Sequence, residues 1–335
     1  MTSDKPTTGR QEPRAPSRAV GSAGEAPAAP SAKAPQLVDA HGHVKWYGYD
    51  ARRLVANMDE HGIDVMWLLT WEAPDDEIDA GSRTVFPPGQ NCLPFRDVLD
   101  AVNLYPERFV PFYAPDPRHP EAVSRLAGAV KHHGVRGCGE LKCRVMLDDP
   151  RALELFHYCG EAKLPVIFHM DVPLPRRRAV SPPYQGGDKG GVGRDPGYWY
   201  CCDWENLARA LELCPRTVFL GHAPGFWREI SGNADSSPDA YPTGRVTPGG
   251  RLWKYMDRYP NLYCDLSAGS ALRALSRDRK VARRFLTRYQ SRCLFGRDYF
   301  DGALYQFLQS CHLSPQAWQR ITHENALRLV PLGGK

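Results

Sequence analysis

Two histidines one residue apart, His41 and His43, close a short apolar stretch, Leu37-Val38-Asp39-Ala40, as the chain turns polar. On a strand, alternate side chains share a face, so the two imidazoles project together from its end. A borderline-soft divalent cation such as zinc can take such a pair from one strand. Gly42 between them leaves room beside a crowded site. Strand-end histidines are also common as hydrogen-bonded filler, so the pair draws its meaning from what accompanies it. His169 follows the apolar run 165–168, His222 follows 217–220, and Asp298 follows Phe295-Gly296-Arg297. Glu140 and Lys142 lie two apart near the end of the run 135–142 and share a face in the same way. Four histidines and an acid, each where an apolar run stops, read as one converging, cation-binding site.

Such residues meet only if the runs that carry them are parallel strands of one sheet. The sequence predicts strands at 36–40, 63–69, 109–113, 135–142, 165–168, 217–220, 262–266 and 293–296. A helical pattern separates each from the next, and two closing helices are expected near 301–311 and 315–329. Strand–helix alternation implies right-handed parallel crossovers. Eight units predict an α/β protein with the (β/α)8 TIM-barrel fold, whose chemistry sits at the C-terminal ends of the strands. Nothing of the form G-x-G-x-x-G or G-K-[ST] follows the first strand, so no dinucleotide or nucleoside triphosphate is called for. The loops after strands five and six, 171–202 and 223–249, are long and rich in Gly and Pro, and they carry Tyr198, Trp199, Tyr200, Phe226, Trp227 and Tyr241. They read either as a lid over the site or as segments whose aromatics pack one another. Trp71, Glu72 and Arg144 are weaker candidates for the pocket wall.

Taken together, Asp39-Ala40-His41-Gly42-His43, Phe168-His169, Leu220-Gly221-His222, Leu294-Phe295-Gly296-Arg297-Asp298-Tyr299 and Glu324-Asn325-Ala326-Leu327-Arg328-Leu329 resemble the amidohydrolase superfamily of metal-dependent hydrolases. The likeness is to its amidohydrolase-related branch, which also holds decarboxylases of the aminocarboxymuconate-semialdehyde type, and it covers about residues 36–330. It implies that His41, His43, His169 and Asp298 bind the metal, with Asp298 also the general base. His222 is then a catalytic imidazole in mononuclear members and a ligand in binuclear ones. One divalent ion is implied, zinc first and manganese second. Some members bridge two metals with a strand-four Glu or a carbamylated Lys, so Glu140 and Lys142 have three readings: a neutralising ion pair, substrate binding by Lys142, or metal bridging. Arg297 replaces a smaller residue of the family pattern and becomes a candidate for anion preference or substrate binding. Asp39 reads as an acceptor supporting the histidines or as a packed strand residue. The implied activity is hydrolysis of a C–N or C–O bond (amide, lactone or lactam). The alternatives are non-oxidative decarboxylation of an aromatic or unsaturated acid, and a catalytically silent barrel used for binding.

The chain has 335 residues, 42% hydrophobic and 24% charged, with a formal net charge of +5, enough to bury a full core and too weakly basic to argue for nucleic acid. Arg176-Arg177-Arg178 is a tight basic run expected on a solvated loop. No apolar run approaches the roughly 18 residues of a membrane span, and no secretory leader is recognisable. Ten cysteines without a C-x-x-C pair predict reduced, mostly buried thiols and a cytoplasmic protein. Residues 1–34, poor in large apolar side chains, are expected to be a disordered tail before a single domain at 35–335. The expected partner is a small-molecule substrate, with neither nucleic acid nor membrane; related barrels allow a homodimer, on which no residue here bears.

Overall fold

The computed structural model describes Met1 and residues 36–333 apart from 79, 173–199 and 238, so the expected tail and its boundary, the run 176–178, Tyr198 and Trp199 lie outside the described residues. Eight short strands appear, β1 Val38–Gly42, β2 Val65–Leu68, β3 Phe109–Pro111, β4 Cys138–Leu141, β5 Val166–His169, β6 Phe219–His222, β7 Leu262–Asp265 and β8 Cys293–Leu294. Their ladders are parallel and run in chain order, β1 to β3 in one sheet and β4 to β8 in another. Backbone hydrogen bonds join the two sheets at both seams. Arg136 N–H donates to Pro111 O and Tyr113 N–H to Gly137 O, while Ala40 N–H donates to Phe295 O and Asp298 N–H to His41 O. The sheets therefore close as a (β/α)8 barrel.

The pleat sorts the side chains into two layers. Val38, Ala40, Val65, Trp67, Leu69, Val110, Phe112, Ile167, Leu220 and Leu294 fill the interior, with Ala326 and Val330 of the C-terminal helical segment joining them. Met66, Leu68, Phe109, Cys138, Leu141, Phe168, Phe219 and Cys264 pack outward among the helices. On β5 and β6 the alternation is unbroken, so His169 and His222 follow Ile167 and Leu220 onto the inner face. Strands β1 and β4 break it. Asp39 pairs with Met66 and Gly42 with Leu68, three steps against two, and Cys138 to Leu141 does the same against Val166 to Phe168. Each is a β-bulge, and a bulge shifts every later side chain to the opposite face. Without the first, the parity of Val38 and Ala40 would send His41 and His43 outward beside Asp39. With it, Gly42 takes the outer side, where an added Cβ would collide with Met66 Sδ.

Helix starts follow local chemistry. Asp50, Asp149 and Asp278 accept first-turn N–H groups, and Asp203 forms a capping box with Asn206, each cap contributing about 1 kcal/mol. Gly134 ends the helix Ala122–His133 at φ +67°, the left-handed turn expected of a C-cap glycine. The segment 223–249 is not irregular throughout: it holds the short helix Pro224–Trp227 and two 3-10 turns. Between β7 and β8 the single expected helix is two, Ala268–Ser276 and Arg279–Arg288, separated where Asp278 caps the second. No described helix is long and apolar enough to cross a membrane. All ten cysteines are unpaired, and nine are buried.

The outward side of the β1 bulge is occupied by charge. Asp39, fully buried, accepts from Arg297 Nε (2.7 Å) and from the N–H groups of Arg297 and His41, while Arg297 Nη1 reaches Asn57 Oδ1. The Arg297 guanidinium therefore points away from the barrel mouth, into the helix layer, as alternation from β8 requires. Removing one member of a buried pair strands the other charge, so Asp39→Ala is expected to cost about 3–5 kcal/mol in urea unfolding; a cost below about 1 kcal/mol would contradict this assignment.

Candidate metal centre

At the C-terminal ends of the strands, His41 and His43 face each other, with Nε2 atoms 3.2 Å apart. Each ring is fixed from behind. His41 Nδ1 donates to the carboxylate of Asp265 at 2.6 Å, and His43 Nδ1 donates to the carbonyl of Leu69 at 2.9 Å. An imidazole that donates through Nδ1 presents a lone pair at Nε2. Two such lone pairs 3.2 Å apart repel unless a proton or a cation lies between them. Asp298 Oδ1 completes the group, 3.8 Å from His41 Nε2 and 3.6 Å from His43 Nε2. Tetrahedral ligands about 2.0–2.1 Å from a zinc ion stand about 3.3–3.4 Å apart, so the three donors fit a divalent cation with a small contraction. Histidines held by a carboxylate or a carbonyl are also the usual supporting arrangement of metal-bound imidazoles.

Glu140, His169 and His222 form a second donor group beside the first. Glu140 joins them: its Oε1 lies 2.7 Å from His169 Nδ1 and 3.7 Å from His222 Nε2, and its Oε2 lies 3.4 Å from His43 Nε2. His222 Nδ1 is paired with Ser267 Oγ at 2.8 Å, and its Nε2 lies 4.0 Å from Asp298 Oδ2. His169 is flanked by carboxylates on both ring nitrogens, with Asp171 Oδ1 at 3.3 Å from Nε2. It thus meets the first group through Glu140 rather than directly.

The charges explain one another. Burial disfavours protonation of His41, but Asp265, Asp298 and Glu140 outweigh it and push its pKa up to about 10. Burial disfavours ionisation of Glu140 too, yet Lys142 and His169 hold it well below the usual carboxylate range. His222 moves the other way: burial and the neighbouring His41 lower it well below the ordinary imidazole value, so it is neutral. A field set by buried carboxylates calls for positive charge between the Nε2 atoms.

The cluster opens into a cavity of about 260 Å³ walled by Trp46, Tyr47, Trp71, Tyr241 and Tyr299. Lys142 enters it, its Nζ 3.7 Å from the Trp71 ring centre, which fixes a cation over an aromatic face. Of the weaker candidates, Trp71 forms part of this wall. Glu72 instead accepts from the Tyr113 hydroxyl, and the Arg144 N–H donates to Glu77, so neither borders the cavity. Phe226 and Trp227 are fully buried core residues, and Trp227 Nε1 donates to Asp265 O. Packing accounts for those two aromatics; Tyr241 alone of that loop's named aromatics reaches the cavity.

Several contributors are absent from the strand-end set above. Asp265 closes β7 as His169 closes β5, a signal present in the sequence. Ser267, Glu77, Asp116 and Arg118 carried none. Buried Arg118 pairs with Glu77 (2.5 Å) and Asp116 (2.6 Å), and Glu77 O accepts from the Tyr200 hydroxyl. The loops after β2, β3, β4 and β5 are thereby tied together around the aromatic wall.

The comparisons with known proteins agree on the architecture. Residues 38–332 match the amidohydrolase family's sequence profile. No curated protein matches the chain. Among solved structures, the 2,6-dihydroxybenzoate decarboxylase from Rhizobium is 17% identical over 89% of this chain and 99% of its own, with a TM-score of 0.54. A dihydroxybenzoic acid decarboxylase from Polaromonas sp. JS666, with bound manganese and 2-nitroresorcinol, is 17% identical over 88% and 96%, at 0.50. A protein described as a probable 2-pyrone-4,6-dicarboxylic acid hydrolase from Acinetobacter baumannii is 12% identical over 88% and 98%, at 0.52. At such identities these likenesses speak for the fold. The profile spans the whole barrel, from the first histidine pair to the closing helices, and on that ground the chain belongs to the amidohydrolase family.

Proposed function

We propose that this protein is a metal-dependent hydrolase that cleaves a C–N or C–O bond, of the amide, lactone or lactam type, in a small-molecule substrate bearing a carboxylate. The observation that carries it is the facing pair of His41 and His43 Nε2 atoms with Asp298 alongside, at the floor of an aromatic-walled cavity. His41, His43 and Asp298, with His169 behind Glu140, would hold one divalent ion, zinc or manganese, which would supply Lewis acidity and make a water more acidic. Asp298 presents Oδ1 to the histidine pair and Oδ2 towards His222, so Oδ2 takes the proton of the attacking water. Neutral His222, oriented through Ser267, receives that proton at Nε2 and delivers it to the departing nitrogen or oxygen. Lys142 pairs with the substrate carboxylate while the flat part of the molecule lies against Trp46 and Trp71. A cytoplasmic location is part of the same proposal, supported by ten unpaired cysteines.

Two observations favour neighbouring readings. The group Glu140, His169 and His222 offers a seat for a second cation with Glu140 as the bridge. The aromatic wall with its lysine also suits decarboxylation of an aromatic acid, the activity named for the Rhizobium and Polaromonas proteins, with Asp298 or His222 giving a proton to carbon as CO₂ departs.

Three outcomes are expected. Elemental analysis finds about one equivalent of divalent metal, lost in His41→Ala and kept in inactive His222→Ala; two equivalents, with His222→Ala losing one, would establish the bridged pair instead. Turnover in ¹⁸O-labelled water places label in a split product without CO₂ release, and stoichiometric CO₂ release overturns hydrolysis. Lys142→Met raises KM for an acid substrate about 10–100-fold with kcat nearly unchanged, and Lys142→Arg restores most of it; an unchanged KM refutes carboxylate recognition by Lys142.

A further inference from the structure

The cavity at the barrel mouth is built in two tiers. Trp71 and Trp46, deep in its wall, are 1% and 6% exposed. Tyr299, Tyr241 and Tyr47 line the same cavity yet are 38%, 41% and 47% exposed. Other exposed large apolar side chains, such as Leu104 and Leu213, close the separate helices Phe95–Leu104 and Trp204–Leu213, and single exposures of that kind are ordinary. Three tyrosines gathered at one rim, from the loops after β1, β6 and β8, are not.

The rim is continuous with the wall beneath it. Tyr47 and Tyr299 stand edge to face with ring centres 5.6 Å apart, and Tyr47 meets Trp46 of the inner tier at 4.9 Å. Arg273 lies 4.6 Å over the ring of Tyr241 and covers one of its faces. Tyr47 sits at φ +50°, a left-handed conformation that a bulky residue adopts only at a cost, and its N–H donates to Val85 O. Exposed aromatic faces gain when a flat apolar group covers them, through buried area and ring–ring contact. A tyrosine has few torsions to freeze, so the entropy lost in such a contact is small. Lys142 packs on Trp71 in the inner tier, so an acid anchored there directs its far end towards the rim.

We infer that Tyr47, Tyr241 and Tyr299 form an outer subsite, and that the substrate is an acid with two aromatic parts, one against Trp46 and Trp71 and the other within the tyrosine collar. The inference rests on the reading of Lys142 as the carboxylate anchor. It makes Tyr47 and Tyr241, remote from the metal donors in the chain, the residues that select for the second ring.

Titration calorimetry on the full chain with benzoate, biphenyl-4-carboxylate and 4-cyclohexylbenzoate tests this. The biphenyl acid is expected to bind about tenfold more tightly than benzoate, and about threefold more tightly than the cyclohexyl acid, whose second ring has similar bulk but no aromatic face. Tyr47→Ala and Tyr241→Ala, both at exposed positions, are each expected to remove most of that gain while leaving benzoate unchanged; Tyr47→Phe keeps it. Lys142→Met weakens both aromatic acids alike. Equal affinities for benzoate and the biphenyl acid overturn the inference, whether the rim is inert or residues 173–199 occupy it. A gain that survives Tyr47→Ala and Tyr241→Ala together overturns it as well. Either result leaves the anchor and the hydrolytic reading standing, because binding alone is measured. If neither acid binds up to about 10 mM, anchor and subsite fall together.

Discussion

Two imidazole lone pairs pointed at each other across 3.2 Å are the constraint around which the barrel mouth is built. Neither ring can turn away. Asp265 holds one Nδ1 and Leu69 O holds the other, and both acceptors belong to strands or their ends that packing fixes in place. Protonating one ring would relieve the repulsion, and the surrounding carboxylates push His41 towards that state. A divalent cation relieves it more completely, since it satisfies both nitrogens and offsets Asp298 and Glu140 together. Glycine at position 296 belongs to the same constraint: a Cβ there would stand 2.9 Å from Asp265 Oδ1 and 3.0 Å from the His41 Cβ. The support behind His41 leaves no space for a side chain.

The barrel delivers these groups by two different means. Strands β5 and β6 do it by simple alternation, an apolar residue inside and then a histidine one pleat further on. Strands β1 and β4 do it with bulges that reverse the parity at His41 and at Glu140. Asp39, ahead of the β1 bulge, keeps the outer side of the wall that regular alternation gives it. Arg297, from the neighbouring β8 segment, neutralises it there.

Much of this was legible in the residues, for definite reasons. Long helices separated by apolar runs announce parallel strands, and the closing residue of a strand announces the barrel mouth, so His41, His43, His169, His222 and Asp298 could be gathered before any coordinates. Bulges could not be read, because a bulge adds no distinctive residue; the same letters with regular pairing would turn His41 and His43 outward. The side chain of Arg297 points into the helix layer by ordinary alternation with its neighbour Asp298. Gly42 was recognised as a space-maker, yet the crowding it relieves comes from Met66 in the outer layer rather than from the site. Asp265 was recoverable by the strand-end rule, whereas Arg118, Glu77 and Asp116 meet only through tertiary contacts between loops and leave no local pattern.

The central claim is that a cation sits between the two facing nitrogens. Anomalous diffraction from crystals of the metal-loaded protein, collected on both sides of the metal's absorption edge, tests it directly. The account predicts a peak within about 2.0–2.2 Å of His41 Nε2, His43 Nε2 and an oxygen of Asp298. A loaded crystal with no density between the two imidazoles, or with its metal bound away from both, would contradict it.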